Sequence, residues 1–111
     1  MDIDRRKSRR LSTKSLIALT PKGVAQVVNL SAQSVFFRMK EKVHFQDYLV
    51  LDLYDAIGLN MVGVLAKKVW SKTSTDEKDS NPFQSVIVAK FENLTPAQEY
   101  QLSCYLREQT E

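Results

Sequence analysis

The sequence predicts an all-β dominated domain, a small six-stranded antiparallel β-barrel with one α-helix at its C-terminal end. Three observations lead there. Six short runs rich in β-branched and aromatic residues are separated by turn signals or polar connections. A helix-start signature stands near the end of the chain. The length, 111 residues, suffices for one core and is short for two.

The first run lies between Leu11 and Thr20, includes Leu16-Ile17-Ala18-Leu19, and is closed by the turn signal Pro21-Lys22-Gly23. Val24 to Val28 is the second strand and Ser34 to Met39 the third, with Asn29 to Gln33 between them as a tight polar connection. Tyr48 to Tyr54 alternates in part, its apolar run broken by Asp52 and the two tyrosine hydroxyls. Asn60 to Trp70 is long, and Gly63 inside it predicts a bulge or a bend. Phe83 to Phe91 is the last strand. The stretch from Ser71 to Pro82 has no apolar side chain other than the proline, which predicts a mobile hairpin loop over 71–82.

Thr95-Pro96-Ala97-Gln98 then offers an N-cap threonine, a proline at the first helical position and a glutamine placed to close a capping box. The helix should run over about 95–109, with apolar groups Ala97/Tyr100/Cys104 and Leu102/Tyr105/Leu106 on two faces. Phe36, Phe37, Trp70 and Phe91 are expected in the core, and Cys104 packed on the helix.

Ordinary apolar and charged fractions, 43% and 26%, argue against disorder throughout and against a fibrous structure. No apolar run is long enough to span a bilayer, and charges occupy the amino terminus where a signal peptide needs an apolar stretch, so the expectation is a cytoplasmic protein without membrane insertion. The single cysteine, Cys104, and the single histidine, His44, offer no metal-site spacing. No nucleophile triad, paired-carboxylate motif or phosphate-cradling glycine loop is present, and a non-enzymatic protein without cofactor is expected.

The formal charge of +3 has a location. Residues 1–10 carry Arg5, Arg6, Lys7, Arg9 and Arg10 against Asp2 and Asp4, while the rest of the chain has as many basic as acidic side chains. A short arginine cluster on a neutral body suits a compact anion such as a phosphate group better than a general nucleic-acid footprint. Nucleic acid is further disfavoured by the lack of aromatics interleaved in this arm. Arginine forks pair bidentately with phosphates and with the N7/O6 edge of guanine, and they stack on purine faces. Downstream, Asn29 brings a carbonyl and an amide, Ser31 a small hydroxyl, and the connection its backbone N–H groups.

The arm Asp4-Arg5-Arg6-Lys7-Ser8-Arg9-Arg10 contains Arg-x-x-x-Arg twice, as Arg5/Arg9 and Arg6/Arg10, and Asn29-Leu30-Ser31-Ala32-Gln33-Ser34 reads Asn-x-Ser-x-x-Ser. Together they resemble the signature of the PilZ domain, the small bacterial receptor for cyclic di-GMP, in which Arg-x-x-x-Arg is followed by (Asp/Asn)-x-Ser-x-x-Gly. Val69-Trp70 and Val88-Ala89-Lys90-Phe91 agree more weakly with the family's later strands.

The resemblance implies a PilZ-type barrel over 11–111 with a flexible basic arm at 1–10. It implies a ligand site made of Arg5, Arg6, Arg9, Arg10, Asn29, Ser31 and Ser34, with cyclic di-GMP as ligand and a protein effector as partner. Ser34 stands where the family has glycine. If that position needs positive φ the serine is strained by roughly 1–3 kcal/mol, and if φ is negative it only adds a hydroxymethyl group. A second reading therefore stays open, a PilZ-type protein-interaction module with weak or no nucleotide binding. A homodimer is open as well.

Overall fold

A computed structural model describes residues 15–74 and 82–109. The chain order is β1 (Ile17–Thr20), β2 (Gly23–Leu30), β3 (Ser34–Met39), β4 (Tyr48–Asp55), β5 (Leu59–Thr73), β6 (Ser85–Phe91) and α1 (Pro96–Gln109). All neighbours are antiparallel and the sheet closes on itself in the order β1-β2-β3-β6-β5-β4. This is the six-stranded barrel with one C-terminal helix that the strand and turn pattern predicts.

Local chemistry accounts for the boundaries. Thr20 and Gly23 pair across the Pro21-Lys22 turn, where the Thr20 hydroxyl accepts from the Lys22 amide at 3.0 Å and donates to the Gly23 carbonyl at 2.8 Å. Gly23 sits at φ +133°, a backbone that side chains rarely adopt. At the helix start the expected capping box forms. The Gln98 amide donates to Thr95 Oγ1 at 3.1 Å, and Thr95 N–H donates to Gln98 Oε1 at 3.0 Å.

Inward-facing side chains of all six strands fill the barrel, with Phe37, Leu51, Leu53, Val35, Val64 and Ala66 fully buried among them. α1 packs on this core through Leu102 and Tyr105, while Tyr100 on its other face is exposed and Cys104 half-buried. Polar ties fix the helix too. Asn60 N–H donates to Gln101 Oε1 at 2.6 Å, and Gln98 Nε2 donates to the Val62 carbonyl at 3.1 Å.

Three bulges interrupt the ladders. β2 has one extra residue, Val28, between the pairs Val27↔Phe37 and Asn29↔Phe36. β5 has one at Val62/Gly63, opposite Asp52, and another at Val69, between Lys68↔Ala89 and Trp70↔Val88. Gly63 is thus at the bulge its type predicts, at φ +70°, with its N–H donated to Asp52 Oδ1 at 2.8 Å.

Several expectations need correction. β5 continues through Ser71, Lys72 and Thr73, which pair with Ile87, Val86 and Ser85, so the polar stretch begins as strand. A ladder needs only backbone groups, and the partner strand supplies them whatever the side chains. The remainder of the expected loop, 75–81, and the arm 1–10 lie outside the described residues. Asn29 and Leu30 belong to β2, which leaves Ser31-Ala32-Gln33 as the connection. Phe37 and Phe91 are core, but Phe36 is half-buried and Trp70 is 51% exposed. Bulge residue Val69 shifts the inside/outside phase of β5 by one position and turns Trp70 outward beside Val88.

Candidate functional site

The Ser31–Ser34 turn is organised by the Ser31 hydroxyl. Its oxygen accepts from the Gln33 amide at 3.2 Å and the Ser34 amide at 3.1 Å, and lies 3.2 Å from Ser34 Oγ. Ser31 N–H donates to the Ser34 carbonyl at 2.9 Å, and Phe91 N–H donates to the Gln33 carbonyl at 2.8 Å, tying the turn to β6. A serine side chain that bonds amides two and three positions on replaces the hydrogen bonds a backbone turn would otherwise need.

Among the described residues the only non-glycine residue at positive φ is Asn93, so Ser34 is in ordinary strand conformation as the first residue of β3. The serine at this position is therefore unstrained. Its side chain adds a hydroxyl that the Ser31 oxygen already engages.

The Val28 bulge decides where Asn29 points. Val27 and Leu30 are buried, and the extra residue between Val27 and Asn29 places Asn29 on the outer face opposite Phe36. Its side chain is half-buried and makes no hydrogen bond with another described residue. Following the registers outward, Asn29 of β2, Phe36 of β3, Val88 of β6 and Trp70 of β5 form one row across four strands. Such a row spans about 14 Å at the usual strand spacing.

Rows on either side carry cationic groups. Arg38 pairs with Gln26 on one side and Val86 on the other, and Lys90 lies opposite Ser34. The Arg38 guanidinium is preorganised twice, by an Nε–H bond to Gln26 Oε1 at 2.8 Å and by stacking 3.9 Å above the Phe83 ring centroid. Beside it opens a groove of about 480 Å³ lined by Gln26, Lys40, Glu41 and Phe83. A planar guanidinium held this way keeps its terminal N–H donors for a carboxylate or phosphate.

The structure thus brings Asn29, Ser31 and Ser34 to one end of β2 and β3, while Arg5, Arg6, Arg9 and Arg10 lie outside the described residues. Sequence reasoning missed Arg38 and Lys90, which no motif marks, and misassigned Trp70. The run Ser34 to Met39 does alternate, so a period-two reading from buried Val35 and Phe37 would have put Arg38 on the outer face. Among the described residues no group of histidine, cysteine and carboxylate side chains could hold a metal ion. No helix among them is long and apolar enough to cross a membrane.

Compared with models of known protein families, the chain matches none. No curated protein matches it either.

Proposed function

We infer that the chain is a non-enzymatic receptor of PilZ type that binds cyclic di-GMP and relays its presence to a protein partner. The observation that carries this reading is the Asn29 amide. It is unspent within the described protein and stands at the head of an outer row that ends in an exposed tryptophan. Asn29 can answer the edge of a guanine with one acceptor and two donors. Trp70 supplies a face for stacking, and Arg38 and Lys90 supply charge for phosphates. The arginines of the arm would close over the ligand from the other side, since residues just before β1 are within reach of β2 through the β1–β2 hairpin.

Calorimetric titration of the full chain with cyclic di-GMP tests it. Saturable binding with a micromolar or lower Kd, weakened by Asn29→Ala and Trp70→Ala and lost in Arg6→Ala and Arg10→Ala, is expected. Absence of heat with folded protein refutes it.

A second reading, an interaction module with weak or no nucleotide binding, is favoured by the Ser31 hydroxyl. Its oxygen serves the turn, so one of the motif's two polar side chains is already committed. Preference for single-stranded RNA over cyclic di-GMP, with steep salt dependence, would overturn both readings.

A further inference from the structure

Away from the Asn29 row, the outer face around β4 and β5 carries an apolar patch for which the nucleotide reading has no use. The registers place Val50 opposite Leu65, Tyr48 opposite Lys67, and Leu19 between Val24 and Asp52. Val50 is 51% exposed, Leu65 37% and Val62 66%, and Tyr48, Leu19 and Val24 are exposed around them. Apolar side chains that adjoin across four strands differ from scattered exposed ones, and such patches mark contact surfaces.

Charge sits at both ends of this patch. Lys67 lies in the row of Tyr48, its Nζ 5.8 Å from that ring's centroid, and Asp52 lies four residues further along β4. That is a separation of about 13 Å along the strand. Asp52 Oδ1 accepts from the Gly63 amide, and neither residue is ion-paired with another described residue. The barrel is closed, and at Val50 and Leu65 the two strands pair with each other, so this face meets a partner through its side chains.

We propose that this face is a homodimer interface. The partner that fits an apolar centre with a cation at one end and an anion at the other is a second copy, turned about a two-fold axis. An axis lying in the plane of the face and bisecting the line from Lys67 to Asp52 sets each lysine against the other copy's aspartate. Val50 and Leu65 then lie at the centre of both patches. An isologous contact demands this self-complementarity, because every residue meets the surface that carries its own counterpart.

Sedimentation equilibrium on the full chain, without nucleotide, tests the proposal. A monomer–dimer equilibrium is expected below about 1 mM. Leu65→Lys should shift it at least tenfold toward monomer while thermal unfolding shows the barrel intact, because the side chain lies outside the core. Lys67→Glu and Asp52→Lys should each weaken self-association, and an equimolar mixture of the two variants should restore the dimer as a heterodimer. Melting curves of both variants establish that they are folded before they are mixed. A chain that is monomeric throughout, a dimer indifferent to Leu65→Lys, or a mixture that stays monomeric when each folded variant does would overturn it. Failure of cyclic di-GMP to bind leaves this result unaffected, so the two readings fail separately.

Discussion

The Tyr105 hydroxyl donates a 2.5 Å hydrogen bond to Asp55 Oδ2, joining α1 to the end of β4 across fifty positions of sequence. The buried carboxylate also accepts from the Ile57 amide at 3.1 Å and from the Ser15 hydroxyl at 3.2 Å. This cluster is what fixes the helix to the barrel at its buried end. Tyr105→Phe should cost about 1–3 kcal/mol in a urea unfolding experiment, since it leaves a buried acceptor without its strongest donor.

The same cluster predicts an acid limb of stability. Burial works to raise the Asp55 pKa, but the hydrogen bonds from Tyr105, Ile57 and Ser15 outweigh it and hold the carboxyl below its ordinary value of 3.8. Between the folded and unfolded values the unfolded chain binds more protons, so the stabilisation is full above the ordinary value and is lost as pH falls through the folded one. Burial and the bond to Asp55 push the Tyr105 phenol well above its ordinary range, so it keeps its donor proton across this window. Urea midpoints recorded between about pH 6 and pH 2 should fall more steeply for the native chain than for Asp55→Asn.

Ser34→Gly should not improve nucleotide binding. Ser34 is outside the left-handed region, so glycine relieves no strain, and the change adds backbone entropy to the unfolded chain. The variant is expected to lose about 0.5–1 kcal/mol of stability, with a cyclic di-GMP affinity no better than the native chain's. Paired thermal melts and titrations check both numbers. A large gain in affinity would favour the interaction-module reading.

Gly63→Ala separates backbone strain from crowding. No atom lies within 4 Å of where its Cβ would be, but φ is +70°. The expected cost is about 1–2 kcal/mol with the fold retained, measured by denaturant unfolding.

Trp70→Ala and Phe37→Ala should behave in opposite ways. The first removes a half-exposed ring and is expected to cost at most about 1 kcal/mol of stability while weakening cyclic di-GMP binding by about 1–3 kcal/mol. The second empties a fully buried position and should cost about 3–5 kcal/mol. Calorimetric titration and chemical denaturation of each variant make the comparison.

What was legible in the sequence is what depends on neighbours in sequence. The hairpin turn at Pro21-Lys22, the bulge at Gly63 and the capping box of Thr95 and Gln98 each need only a few adjacent residues, and all three are readable from residue type. The outward turn of Trp70 and Asn29 was not readable. It depends on Val69 and Val28 being supernumerary in their ladders, and a valine carries no mark of that role. The Tyr105 bond to Asp55 was hidden for a different reason, because nothing local pairs a helical tyrosine with a strand aspartate fifty residues away.

The bulge at Val69 makes the surface identity of this barrel a matter of counting. Delete that one residue and the bulge closes with the pairs on either side unchanged, Lys68 opposite Ala89 and Trp70 opposite Val88. Trp70 then keeps its outward face beside Val88; it turns inward only where Val69 is drawn into the ladder opposite Val88, which sets Trp70 opposite buried Ile87. The aromatic end of the outer row thus survives loss of the extra residue but not its absorption into the ladder. What holds this face is that β5 leaves one valine unpaired, more than the side chain that valine carries.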